Sequence, residues 1–326
     1  MKKFNRSKII LSLRGGLGNQ MFQYALYKWL LFKNFNVYMD KHYYDINKSV
    51  SHEKYKLNYF NIDETSFIKF SEASYYIDFP VIYNLNTILQ LKINLFLLLK
   101  NIYFRIYLKI SNKFHLKYKV SKTFHMEKPK SDLNFISTLN KDTNIYMYGT
   151  FTFNKYVEEL RISLINIFTF KKSIPVIVKE KLKEMKMNNS VAIHIRRGDY
   201  IGDRVREVCS MSYYRNAIQY LTLRYNDLFF FIFTNDIEFV KTNFFFLPNY
   251  QIIDNYSLDT PDYYDLFLMT QVNHLIISNS TFSWWGAWLN QNSEKIVIVP
   301  ERYHLDNSWV DSSELYPSEW IKLAIN

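Results

Sequence analysis

The segment His194-Ile195-Arg196-Arg197-Gly198-Asp199-Tyr200 packs an imidazole, two guanidiniums and a carboxylate into one short stretch. It closes an apolar run, 191–195, that reads as a buried strand. Strand alternation places Val191, Ile193 and Ile195 on one face and His194 and Arg196 on the other, with Arg197 at the strand's end. Gly198 then turns the chain. A planar guanidinium fork suits phosphate oxygens, and a charge-assisted hydrogen bond contributes about 1.5–3 kcal/mol. A surface ion-pair cluster would use the same residue types. The strand terminus favours phosphate binding, because open α/β sheets bind ligands at the carboxyl ends of their strands. Asp199 is expected to orient an arginine rather than to react.

A second group is Ser278-Asn279-Ser280-Thr281-Phe282-Ser283-Trp284-Trp285-Gly286. A strand ends near 277 and a helix starts near 282, so small hydroxyl and amide side chains crowd a helix N-terminus. Free backbone N–H groups and the positive dipole end suit a phosphate there. Ordinary N-capping by Ser280 or Thr281 is the plainer account. Asp265, in the otherwise apolar helix 262–272, could accept both N1–H and N2–H of a guanine. From the sequence alone, a first-turn aspartate favoured by the helix dipole is the preferred account. Arg14-Gly15-Gly16-Leu17-Gly18-Asn19-Gln20 is neither a dinucleotide fingerprint, since Met21 stands where a third glycine would be needed, nor a Walker loop. Its glycines at Gly16 and Gly18 allow a close backbone approach to a ligand or to another part of the chain. Asp203 follows the arginine motif and is the candidate for a catalytic base. His-Glu-x-x-His, Asp-x-Asp, an EF-hand loop and a nucleophile elbow are all absent.

The elements that must carry these groups read as two α/β halves, as 326 residues permit. Strand 8–13, the glycine turn, helix 19–33 and strand 36–39 form one βαβ unit. Strand 145–148 and helix 154–168 close the first half, and 41–135 is aromatic, polar and hard to parse. In the second half, strands 191–195, 228–233, 250–253, 275–277 and 296–299 alternate with helices 212–224, 237–245, 262–272 and 282–290. Buried strands alternating with helices imply a parallel sheet. The boundary falls near 170–187. A net charge of +11 favours anionic partners, but scattered lysines make a solvated basic surface an equally good account. The single cysteine, Cys209, excludes an intramolecular disulfide and a cysteine-based zinc site. No secretory signal is evident, since the run 9–11 is short and leads into Arg14. The apolar stretch 85–110 is broken by charge and falls short of the roughly 20 apolar residues a spanning helix needs. The expectation is a cytoplasmic chain, with peripheral contact at the inner membrane face left open.

Leu13–Ala25 around the glycine turn, His194–Tyr200 and Ser278–Leu289 together resemble three signature blocks of glycosyltransferase family 11, the bacterial α-1,2-fucosyltransferases. Tyr213-Tyr214-Arg215-Asn216-Ala217-Ile218 and Tyr59-Phe60-Asn61-Ile62 resemble further segments. The resemblance implies a GT-B-like fold: two Rossmann-like α/β domains with a cleft between them, 1–170 on the acceptor side and 171–326 on the donor side. It implies GDP-fucose as donor, transfer with inversion to the 2-hydroxyl of a β-galactoside, and no required metal or nucleic acid. Surface polysaccharide assembly on a lipid-linked acceptor would fit that activity. By the same resemblance Arg196 binds the β-phosphate with Arg197 in support, and His194 and Asp265 contact guanine. Ser280, Thr281, Phe282 and Ser283 line the phosphates with Gly16 and Gly18, and Asn19 approaches the sugar or acceptor. Where the family often has an aromatic-Gln-Ser segment, this chain has Gly149-Thr150-Phe151-Thr152-Phe153, which leaves the acceptor open. The rival class is a non-catalytic nucleotide-, RNA- or glycan-binding protein. Such a binder should display exposed aromatics among its basic residues, whereas the aromatics here fall in apolar, core-like runs.

Overall fold

The structure, a computed structural model, describes residues 8–46, 54–68, 124–126, 132–142, 144–255, 257–305 and 310–325. The chain divides into two compact units. One comprises Met1–Gly16, Phe22–Lys56 and Ile62–Phe151, and the other Leu17–Met21, Leu57–Asn61 and Thr152–Asn326.

The first unit is built on a four-stranded sheet in the order β2-β1-β4-β3. Its strands are β1 (Ile9–Ser12), β2 (Val37–Asp40), β3 (Phe124–Met126) and β4 (Ile145–Tyr148). All its pairings are parallel, with Ile9 level with both Val37 and Ile145. β1 is buried along its whole length, which explains its unbroken apolar run. Gly15, with φ of +73°, makes the turn out of β1, a conformation that only glycine adopts without cost. Helix α1 (Leu17–Phe32) follows, and Phe22, Ala25, Leu26 and Leu30 on it are fully buried. The short helices α2 (His42–Ile46) and α3 (Asp132–Thr138) complete this unit's described elements.

The second unit holds a six-stranded parallel sheet, ordered β10-β9-β8-β5-β6-β7. It contains β5 (Asn189–Ile195), β6 (Leu228–Thr234), β7 (Tyr250–Ile253), β8 (His274–Ile276), β9 (Val297–Pro300) and β10 (Ile321–Leu323). The helices are α4 (Asn154–Glu159), α5 (Arg161–Ile167), α6 (Val176–Met187), α7 (Met211–Thr222), α8 (Ile237–Asn243), α9 (Pro261–Met269), α10 (Thr281–Leu289) and α11 (Ser312–Leu315). Val191, Ile193 and Ile195 share one core with Tyr213, Tyr214, Phe230, Ile232 and Phe244, as alternation requires. The expected helix over 154–168 is two helices broken at Leu160. β10 went unread because three residues carry no periodicity.

Residues 152–170, read from sequence with the first half, group with the second unit. Phe168 packs edge-on against Trp285 at 5.1 Å, and Phe60 packs against both Phe168 and Phe170. Aromatic area of this size outweighs position in the chain. Helix α10 is apolar nearly all round and correspondingly buried. Each of its indoles has an acceptor: Trp284 on Leu315 O, Trp285 on Gly18 O and Trp288 on Glu158 Oε1. No helix among the described residues is long and apolar enough to cross a membrane. The stretch 85–110 lies outside the described residues.

Candidate functional site

The carboxyl ends of β5 and β8 meet in the second unit, since Val191, Ala192 and Ile193 pair with His274, Leu275 and Ile276. His194, the next inward position of β5, is buried, and its Nδ1 lies 2.8 Å from Ser278 Oγ just beyond β8. Burial, with the Arg196 charge adding to it, pushes the imidazole pKa down to about 3, so the ring is neutral. It also packs against Phe282, centroid to centroid 5.7 Å. His194, Ser278 and Phe282 thus form one assembly at the strand ends.

The two arginines turn to different partners. Arg196 Nη2 lies 2.7 Å from Asp199 Oδ1, and its guanidinium sits 5.7 Å from the Tyr200 ring centre. Arg197 Nε meets Asp236 Oδ2 at 3.2 Å, and its guanidinium stacks on Phe239 at 3.8 Å. Asp236 is the N-cap of α8 and accepts from Phe239 N as well. Arg197 is therefore fastened to the β6–α8 turn. Arg196 is held by one prong to an exposed carboxylate, and its guanidinium makes no other ion pair or hydrogen bond among the described residues. Gly198 has φ of +30°, which strains any other residue, and a Cβ there would displace the Asn235 amide, whose Nδ2 would lie at 2.4 Å.

Asp199 orients an arginine as its position predicted, and it does so twice. Its second oxygen takes Arg206 Nη1 at 3.3 Å. Asp203 accepts from the backbone N–H of Val205 and Arg206, each at 2.9 Å, and from Arg206 Nε at 2.8 Å. Those backbone bonds first, then the Arg206 side chain, lower its pKa to about 2. Asp203, the expected base, thus has its carboxylate bonded within its own loop and held ionised. Arg206 was missed, and its one signal was the Asp203–Arg206 spacing of three.

Ser280 occupies the N-cap of α10, yet its side chain makes no capping hydrogen bond. Thr281 Oγ1 donates to Asn19 Oδ1 at 2.7 Å, and the buried Ser283 Oγ turns back to Ser280 O. Plain N-capping thus does not explain the hydroxyls. Gly18 lies against the same turn, where a Cβ would come within 2.5 Å of Phe282 N and Thr281 C. A Cβ on Gly16 would meet nothing within 4 Å. Asn19 and Gly18 join the α10 turn, and Gly16 has no packing constraint. Among the described residues no three His, Cys, Asp or Glu side chains converge to hold a metal ion.

Asp265 stands with a different set. Its Oδ1 accepts from Asn255 Nδ2 at 2.6 Å, beyond the end of β7, and Lys181 Nζ bonds Asn255 Oδ1 at 3.2 Å. Burial raises the Asp265 pKa to about 7, against the lowering effect of the Asn255 bond. The Asp265 carboxylate therefore changes its protonation near neutral pH.

The chain resembles an alpha-1,2-colitosyltransferase of Escherichia coli, 29% identical with 97% of this chain and 99% of that protein covered. It also resembles the galactoside alpha-(1,2)-fucosyltransferase 2 of Sus scrofa, 23% identical over 41% of this chain and 42% of that one. Among solved structures, the alpha-1,6-fucosyltransferase NodZ soaked with GDP-fucose aligns with a TM-score of 0.49 at 11% identity, covering 93% of this chain and 97% of that one. The model of glycosyl transferase family 11 matches residues 8–324, and the chain belongs to that family.

Proposed function

We propose that this glycosyltransferase moves L-fucose from GDP-fucose, with inversion, to the 2-hydroxyl of a β-galactoside. The observation that carries the reading is the uncapped N-terminus of α10 beside the strand end bearing Arg196. In this reading Ser280, the α10 amides and Thr281 receive the phosphates, with Gly18 and Asn19 against them. Arg196 takes the β-phosphate charge that grows as the bond from the sugar's anomeric carbon to the phosphate oxygen breaks. Electrostatic stabilisation of developing charge is commonly the largest catalytic contribution. Arg197 supports the turn, and His194, neutral and buried, packs the base-proximal wall. Asp265, once ionised, accepts N1–H and N2–H of guanine. The acceptor hydroxyl oxygen forms the new bond to the anomeric carbon as GDP departs, and its proton passes to water. No metal is needed, because guanidinium and helix-end N–H groups offset the phosphate charge.

The activities of the relatives support an α-1,2 linkage and a galactoside acceptor. They also favour a second donor. Colitose is fucose lacking its 3-hydroxyl, and the colitosyl relative is similar over nearly the whole chain. A donor panel decides: turnover of a β-galactoside with GDP-fucose is expected, and turnover with the colitose donor alone would replace fucose in the proposal. Absence of any GDP-dependent stabilisation of the fold would overturn the donor site itself.

A further inference from the structure

At the carboxyl edge of the first unit's sheet, Arg14 holds a guanidinium with no ion pair and no side-chain hydrogen bond among the described residues. It is half-buried and lies 4.4 Å from the Tyr148 ring centre and 5.9 Å from that of Tyr43. A cation removed this far from water ordinarily has an anionic or hydrogen-bonding partner. The backbone around it is fixed from two sides. Buried Gln23 accepts from Arg14 N at 3.0 Å and donates to Gly149 O at 2.7 Å, clipping the ends of β1 and β4 together. Tyr44 Oη donates to Gly15 O at 2.9 Å. Leu13 N donates to Asp40 O, which sets the end of β2 level with them. There the buried Asp40 carboxylate accepts from Tyr146 Oη at 2.8 Å and lies 2.5 Å from His42 Nδ1.

Two tyrosine rings, a planar donor fork and a carboxylate-oriented imidazole thus stand at the strand ends, where α/β sheets place ligands. The combination fits a pyranose: its C–H face lies on an aromatic ring, and adjacent hydroxyls accept from the fork. Sites for small polar ligands combine apolar walls with a few fixed polar groups in this way. We infer that Arg14, with Tyr43, Tyr148 and His42, forms a carbohydrate-binding subsite for the galactose ring of the acceptor. The identity of the sugar rests on the galactoside reading above, and the subsite itself does not. Gln23 acts as a positioning residue for Arg14.

Saturation-transfer NMR on the full chain, with methyl β-galactoside as probe and no nucleotide present, tests the subsite. Wild type is expected to transfer saturation to the glycoside. In Arg14→Ala the Kd should rise at least tenfold, while circular dichroism shows an unchanged fold. Arg14→Lys should lose nearly as much, because a point charge cannot bridge two hydroxyls. No saturation of any glycoside by wild type, or an unchanged Kd in Arg14→Ala, would overturn the subsite. Arg14-dependent binding of methyl β-glucoside but not the galactoside would uphold the subsite and overturn only the sugar assignment. GDP binding, measured separately by thermal shift, reports on the donor site and is expected to be the same in wild type and Arg14→Ala.

Discussion

Asp199 offers one oxygen to Arg196 at 2.7 Å and the other to Arg206 at 3.3 Å. Arg196 can therefore receive a phosphate without losing its orientation. Arg196→Ala is expected to lower kcat by roughly 10²–10³-fold, the cost of losing one preorganised donor to a developing oxyanion. Arg196→Lys should recover little of it, since the planar fork is lost. Turnover of the folded variants with GDP-fucose measures both, and a near-native rate in Arg196→Ala removes that arginine from the mechanism. Asp265 gives a pH signature. The proposed guanine contact requires the ionised carboxylate, so GDP affinity should weaken as pH falls through about 7. The same group affects folding in the opposite direction. Its pKa in the fold lies above the unfolded value near 3.9, so the native state holds more protons between about pH 4 and pH 7. Its contribution to stability therefore falls as pH rises through that window. Asp265→Asn should weaken GDP binding and flatten its pH dependence, as calorimetric titrations at several pH values will show. An Asp265 that merely favours the helix start would leave affinity unchanged.

At the scale of elements, the docking of α1's first turn on α10 is set by a missing side chain. A Cβ on Gly18 would strike backbone atoms of Thr281 and Phe282, which cannot swing aside. Gly18→Ala is expected to destabilise by about 1–3 kcal/mol, the usual cost of overpacking, and to disturb GDP binding. Gly16→Ala meets open space at an ordinary φ of −73° and should change denaturation midpoints little. Comparable midpoints for the two variants would show that the Gly18 approach is not maintained. Gly286 plays a similar part between α10 and α9, where a Cβ would meet Met269 at 2.9 Å. The positions of these helices were legible in the sequence within a few residues, because each alternates with a buried strand. Which glycine was needed for contact was not legible. Gly18 faces residues more than 260 positions away in the chain, and Gly16 faces open space.

For the whole molecule, a nucleotide that binds the native chain alone stabilises it by mass action, about 2.7 kcal/mol at a hundredfold excess over Kd. GDP should raise the melting temperature, and ADP or UDP should raise it far less. Activity should survive EDTA; loss on chelation restored by manganese or magnesium would overturn the metal-free reading of the phosphate site. The two-sheet plan, five of the six strands of the second unit and the arginine-bearing strand end were determined by the sequence itself. Their signals are local: apolar runs of strand length, turn glycines and alternation along a single strand. The partners of the charged groups were decided only by the tertiary structure. Arg197 and Asp236, Arg206 and Asp199, and Asp265 and Asn255 meet through loops whose separation in the chain sets no distance. Asp203 shows the physical reason most directly. Its residue type is visible in the sequence, but the three donors around its carboxylate, which hold it ionised, are not. Hydrogen bonds and burial fix proton affinity, and both exist only once the chain has folded.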